Sequence, residues 1–184
     1  MRETGPADAV LLSLNAETSF LLRHRRLGYA LQCHGFRIAE TGPATLRWLE
    51  TEFDIVVRTP EDVHRDYRAL IDAIRARGDA AFLVINTMST SGHEDVHCYA
   101  PFDAPLGQSL GSVRARELNV MLYDLAREHD VAIVDADAIA AVLGGRNHLP
   151  DGVHPSGQMQ AGVRAEILRI LRERGVPGFA GAVR

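Results

Sequence analysis

A carboxylate and an imidazole stand three residues apart near the end of the chain, in the segment Asp151-Gly152-Val153-His154-Pro155. On a loop of this kind, Asp151 can hold the ring of His154 in one tautomer and stabilise its protonated form. The other ring nitrogen can then take a proton from a hydroxyl nucleophile. The spacing therefore indicates a general base. The alternative is that Asp151 caps the last helix and His154 is a surface loop residue.

The composition fits a single domain spanning 1–184. The chain has 184 residues, 46% of them hydrophobic, which is enough to bury a substantial core. A net charge of −4 argues against nucleic acid as a partner, because phosphate binding requires a basic face. The two cysteines, Cys33 and Cys98, form no C-x-x-C pair and indicate neither a disulfide framework nor structural zinc.

The first apolar stretch of the chain, which begins at Ala9, is too short for a signal peptide or a membrane span. We therefore expect a cytoplasmic protein without a membrane partner. The sequence leaves its oligomeric state open.

Short apolar runs alternate with amphipathic stretches along the whole chain. Runs of the kind found in buried strands lie at 9–14, 36–39, 53–57, 80–85 and 131–134. Strands that alternate with helices predict a parallel sheet with right-handed crossovers. The expected fold class is thus α/β, with three layers in α/β/α order and a flavodoxin-like parallel sheet of about five strands.

The helices between these strands are predicted from apolar spacing and from capping residues. Phe20, Leu27 and Leu31 recur at roughly helical spacing and predict a helix over 20–31, with the basic cluster 23–26 on its solvated face. Thr59 can cap a helix that begins at Pro60, with Asp62 completing a spacing like that of a capping box. Further helices are predicted near 113–125, 136–143 and 159–171.

Ligands of parallel α/β sheets bind at the carboxyl ends of the strands, so the loops that follow the strands are the places to look for a site. The longest of them runs from Asn86 to about Ser109 and is expected to border the pocket. His93 and His97, four residues apart in it, could share a metal ion, but no distant third ligand is evident. We therefore expect no metal site and no cofactor.

From Arg114 onward the chain resembles the SGNH (GDSL-like) hydrolase superfamily. An amphipathic helix leads into an apolar strand that ends at Asp135, a short helix follows, and Asp-Gly-Val-His-Pro precedes the last helix. The resemblance implies an SGNH-like sheet and a site in which Asp151 and His154 serve a serine nucleophile. It further implies that Gly42, after the second predicted strand, donates a backbone N–H to the oxyanion.

Two other turns of the family pattern differ here. Glu17 stands where the family has the serine of its G-D-S turn, which leaves Ser19, two residues later, as the nucleophile, with Thr18 as the next choice. The turn from Arg58 lacks the family's oxyanion asparagine, and one such donor is worth about 3 kcal/mol of transition-state stabilisation. Arg58 and Asn86 are the candidate substitutes, and Glu17 is a candidate carboxylate in the same cleft.

The expected function is therefore an esterase or deacylase that hydrolyses an O-acyl ester of a small molecule or sugar. Three alternatives stay open. One is an acyltransferase that uses the same acyl-enzyme, and another is a catalytically silent member of the fold that binds a ligand or partner. In the third, His154 and Asp151 work with Glu17 or with a metal ion held by His93 and His97.

Overall fold

The computed structural model describes residues 7–17, 20–32, 40–88, 111–149 and 154–179. This part of the chain is a mixed α/β structure that divides into two compact units. The parallel-sheet unit comprises Met1–Ala16 and His64–Arg184, and the hairpin unit comprises Glu17–Val63. The division falls inside one helix, α2 (Pro60–Arg75).

The described residues of the parallel-sheet unit form three strands. Their ranges are β1 (Ala9–Ser13), β5 (Ala81–Ile85) and β6 (Ala132–Val134). The other helices of this unit are α3 (Gly111–His129), α4 (Ala136–Leu143), α5 (Gly145–His148) and α6 (Gly157–Glu173). Strand β5 lies in the middle and pairs in parallel with both neighbours. All three strands therefore end at the same edge of the sheet.

The core of this unit forms on both faces of β5, because successive strand residues point to opposite sides. Leu83 packs in one cluster with Ile170 and Leu171 of α6. Phe82, the preceding residue, is fully buried on the other face, where the guanidinium of Arg75 lies 5.5 Å from the centre of its ring. Burial on both faces explains why the sequence of β5 is a continuous apolar run.

In its described residues, the hairpin unit contains an antiparallel sheet and one complete helix. Its elements are β2 (Phe20–His24), β3 (Ala30–Leu31), α1 (Pro43–Glu52) and β4 (Phe53–Val57). Strand β2 lies in the middle and pairs antiparallel with both neighbours.

The helix predicted over 20–31 is wrong, because this segment is the β2–β3 hairpin. The turn requires Gly28, whose φ of +74° lies in the left-handed region. It is also held by His24, whose Nδ1 accepts the N–H groups of Arg26 and Leu27, both at 3.2 Å. His24 is only 5% exposed and packs against the rings of Tyr29 and Phe53, so it does not lie on a solvated face.

The parallel sheet also differs from the expected one. Phe53–Val57 forms a strand as predicted, but it pairs antiparallel with β2 instead of joining the parallel sheet. In the part of the chain that the structure describes, the parallel sheet has three strands. The strand predicted at 36–39 lies outside the described residues.

Most of the other predicted elements are confirmed. The runs 9–14, 80–85 and 131–134 form β1, β5 and β6, and a helix covers 136–143 as expected. Helix α5 was not predicted. It follows α4 directly through Gly144, whose φ of +92° lies in the region that glycine adopts more readily than other residues. Across the described residues, no helix combines the length and the apolar character that a membrane crossing requires.

The predicted cap of α2 is present as a reciprocal pair of hydrogen bonds. The N–H of Asp62 donates to Thr59 Oγ1 at 3.2 Å, and the N–H of Thr59 donates to Asp62 Oδ2 at 3.1 Å. Two N–H groups without partners in the helix are thereby satisfied, which ties the helix start to the end of β4.

Replacing Thr59 tests this cap. Thr59→Ala removes the hydroxyl that accepts the Asp62 N–H, so we expect the free energy of unfolding to fall by about 1 kcal/mol. Thr59→Ser keeps the hydroxyl and is the matched control, which should stay close to wild type. Urea denaturation measures both, and equal losses in the two variants would contradict the assignment.

Candidate functional site

A cleft of about 240 Å³ lies at the edge of the parallel sheet where the strands end. It is lined by the ends of β1 and β5, the start of α4 and one face of α6. The lining residues are Ser13, Asn15, Ile85, Asn86, Met88, Ala136, Pro155, Met159, Gln160 and Val163. Apolar side chains with a few polar groups are typical of small-molecule sites, and this edge is where parallel sheets bind ligands.

Asn86 follows β5 directly and connects two strand ends. Its Nδ2 donates to Asp135 Oδ1 at 2.8 Å, and its Oδ1 accepts the N–H of Asp137 at 3.2 Å. Asp135 also caps α4, because the same Oδ1 accepts the N–H of Ala138 at 2.9 Å. Asn86 is only 3% exposed. It therefore lines the cleft from a fixed position, as an oxyanion donor would have to.

The next residue along the chain, Thr87, is fixed by a buried amide that the sequence analysis did not single out. Asn119 of α3 accepts the Thr87 N–H at 2.9 Å and donates to the Thr87 carbonyl at 3.0 Å. The Thr87 hydroxyl is within 2.9 Å of the Ala115 carbonyl, to which it donates. An asparagine inside a helix gives no local sign of such a partner, which lies 32 residues away in sequence.

His154 is exposed and immediately precedes Pro155, which lines the cleft. The carbonyl of Pro155 accepts a hydrogen bond of 2.8 Å from Gln160 Nε2 of α6. Its expected partners Asp151, Ser19 and Thr18 lie outside the described residues. Their approach to His154 therefore stays a prediction.

Gly42 is the N-cap of α1 in the hairpin unit. Its backbone is extended, with φ −66° and ψ 157°, and a Cβ added there would meet nothing within 4 Å. Neither conformation nor crowding therefore requires glycine at this position. Its assignment as an oxyanion donor stays a prediction from the resemblance.

Glu17 and Arg58 form an ion pair within the hairpin unit. Arg58 Nη1 lies 3.1 Å from Glu17 Oε2, and the two side chains are 14% and 17% exposed. Arg58 directly follows β4, and Glu17 lies shortly before β2, so the pair joins the two strands at one end of their ladder. The structure thus brings together two of the predicted cleft residues, and each neutralises the other.

In the described ranges, no group of three or more His, Cys, Asp or Glu side chains is arranged to hold a metal ion. His93 and His97, the two histidines that the sequence offered as metal ligands, lie outside those ranges.

The carboxylate of Asp135, at the edge of the sheet where the strands end, raises the pKa of Tyr123 in α3. The negative charge of Asp135 is the main cause, followed by partial burial, a long hydrogen bond of 3.5 Å to Asp135 Oδ2, and the charge of Asp137. Each of these favours the neutral phenol over the phenolate.

Asp135→Asn tests this electrostatic coupling. Because it removes the charge and keeps an oxygen for Asn86, we expect the pKa of Tyr123 to fall back toward its ordinary value of about 10. The contribution of the neutral phenol to the free energy of unfolding is fully present below about pH 10, the ordinary pKa of tyrosine. It is lost as the pH rises through the raised pKa of Tyr123. Ultraviolet titration of phenolate, with Tyr123→Phe subtracted, measures the shift. An unchanged Tyr123 titration in Asp135→Asn would contradict the coupling.

The Glu17–Arg58 pair predicts a coupling energy that depends on its burial. In a double-mutant cycle of Glu17→Ala and Arg58→Ala, we expect about 1–2 kcal/mol, measured by urea denaturation. The matched control is the Arg25–Asp54 pair of the same unit. Its contact distance is 3.0 Å, but its side chains are 51% and 54% exposed. That pair should couple by less than about 0.5 kcal/mol, and equal coupling in the two pairs would contradict the role of burial.

No protein-family model matches this chain, no curated protein is significantly similar to it in sequence, and no solved structure matches it. The assignment of function therefore depends on the geometry of the cleft and on the sequence motifs.

Proposed function

We propose that this protein is an SGNH-like esterase or deacylase that hydrolyses an O-acyl ester of a small molecule or sugar. The observation that carries the proposal is the position of Pro155. It lines a cleft at the carboxyl ends of β1 and β5, and it is bonded to His154, the residue that the sequence indicates as a general base. The proposal includes the expected three-layer α/β/α arrangement.

The lining of the cleft supports an ester substrate. Ile85, Met159 and Val163 provide an apolar surface that suits an acyl chain. Asn86 offers a polar group beside it. An amide nitrogen carries two hydrogens, and Asp135 accepts one of them, so we assign the other to the carbonyl oxygen of the ligand. A cleft of about 240 Å³ favours a small acyl group.

In the proposed reaction, His154 takes the hydroxyl proton of Ser19 while the Ser19 oxygen attacks the acyl carbon. Asp151 orients the imidazole and stabilises its charge, and a side-chain N–H of Asn86 stabilises the oxyanion. The ester C–O bond then breaks, and the alcohol leaves with the proton from His154. Water attacks the acyl-enzyme, His154 accepts its proton, and the serine is regenerated as the carboxylic acid leaves.

A second candidate function is a binding protein of the same fold that does not turn over its ligand. The Glu17–Arg58 pair favours it. According to the resemblance, Glu17 occupies the place of the nucleophilic serine, and its carboxylate is engaged by Arg58, which begins the turn that lacks the oxyanion asparagine. Ligand binding without acyl transfer would distinguish this function. Transfer to an added alcohol would identify an acyltransferase.

Hydrolysis of p-nitrophenyl acetate tests the proposal. We expect His154→Ala to lower kcat/KM by about 100-fold or more, because a general base contributes at least that factor. His64→Ala is the control for unspecific hydrolysis by histidine, since His64 is a partly exposed residue of α2 that contacts Glu128. Wild-type activity in His154→Ala would contradict the proposal.

The nucleophile can be identified in the same experiment. A fluorophosphonate should label Ser19, and Ser19→Ala should lose both the label and the activity. Label on Thr18 would move the nucleophile by one residue without changing the reaction. A wild-type protein that binds the ester product but neither hydrolyses the ester nor reacts with the probe would favour the binding protein.

A further inference from the structure

Two hydrogen bonds join His148 to Ser156. His154 lies between these two residues in the sequence. The N–H of Ser156 donates to the carbonyl of His148 at 2.8 Å, and His148 Nδ1 lies 2.8 Å from Ser156 Oγ. Both side chains are half-buried. We call this pair the clasp. The sequence analysis did not single out either residue, because nothing in the local pattern marks them as partners.

The Ser156 hydroxyl also belongs to helix α6. It is the N-cap residue, and its Oγ accepts the N–H of Met159 at 3.3 Å. A hydroxyl can donate to an unprotonated Nδ1 or accept from an Nδ1–H, and in both cases it can still accept the N–H of Met159. The clasp can therefore form with either ring tautomer of His148.

Buried side chains anchor the clasp on both sides. Leu149 follows His148, Met159 lies three residues after Ser156, and both are fully buried in the same core cluster as Ala136 and Ala140. The N–H of Leu149 donates to the carbonyl of Gly145 at 2.7 Å. The two ends of the clasp are thus attached to α4, α5 and α6 of the same unit.

His154 is two residues from this anchored point, and the residue between them is also held. The carbonyl of Pro155 accepts the hydrogen bond from Gln160, one turn into α6. Proline fixes its own φ, which removes one degree of freedom between His154 and Ser156. The backbone from Pro155 to Ser156 is therefore constrained by side chains of α5 and α6.

We propose that His148 is a positioning residue, which acts through Ser156 to aim His154 at the cleft. This inference rests on the proposed function, in which His154 is the general base. A base must be held to within about 0.5 Å of its productive position, and a misplacement of about 1 Å can cost about 100-fold in rate.

The test compares two substitutions of His148. His148→Phe removes the Nδ1 bond and keeps the Ser156 cap of α6, so kcat for p-nitrophenyl acetate should fall about 10- to 100-fold while KM changes less than about twofold. His148→Asn places an amide near the position of Nδ1 and should recover most of the activity. Urea denaturation checks that both variants stay folded. Equal kcat in wild type and His148→Phe would overturn the proposal.

Hydrogen exchange provides a readout that does not depend on activity. In His148→Phe, the amide of Ser156 should exchange about 10-fold faster or more, with the amides of α3 unchanged, because only the local connection is lost. Unchanged exchange at Ser156 would overturn the clasp. Absence of esterase activity in the wild type would instead reject the proposed function, and the exchange data would still decide whether the clasp holds this segment. Fluorophosphonate label on Ser156 itself would overturn the positioning role, since Ser156 would then be the nucleophile.

Discussion

The parallel pairing of β5 with β1 and β6 is the constraint on which the rest of the candidate site depends. Parallel strands run in one direction, so the chain leaves all three at a common edge, and each connection must cross back over the sheet. Residues that are far apart in sequence, such as Ser13, Asn86 and Asp135, are thereby brought to one side of the unit. The cleft is a consequence of this arrangement and of α6, which packs beside the same strand ends.

The polar side chains at this edge form hydrogen bonds that hold the backbone of the unit in place. The side chain of Asn119 hydrogen-bonds to both the N–H and the carbonyl of Thr87. Asn86 connects the end of β5 to the cap of α4. A buried hydrogen bond contributes about 1 kcal/mol on balance, but a buried polar group that loses its partner costs about 1–3 kcal/mol. These hydrogen bonds therefore add little to the net free energy of unfolding, but losing one of them is costly. Their main effect is to fix the backbone at the points where the loops begin.

The hairpin unit changes the interpretation of the first turn after β1. If all the strands were parallel, Glu17 and Arg58 would each follow the end of a strand and would be candidates to line the cleft. Their ion pair instead joins the ends of two antiparallel strands, and its low exposure gives it a structural value that exposed pairs such as Arg25–Asp54 lack.

The sequence by itself determined the local elements wherever a local signal was strong. The apolar runs became β1, β5 and β6, the spacing of Thr59 and Asp62 produced the cap of α2, and the α4 helix has the predicted bounds. Where the signal was weak it failed: three apolar residues over 20–31 suggested a helix, although Gly28 and the side chain of His24 direct a hairpin turn there. The antiparallel partner of Phe53–Val57 was not predicted either, because an apolar strand carries no information about the direction of its neighbour.

For the cleft, the sequence predicted Asn86, because it is an amide that directly follows an apolar run, and Asn86 does line the cleft. Only the tertiary structure revealed that Asn86 bonds to Asp135, that Asn119 holds Thr87, and that His148 meets Ser156. These contacts depend on where separate elements pack. The geometry of these contacts is set by the burial of apolar surface across the whole unit. It therefore cannot be predicted from a short stretch of sequence.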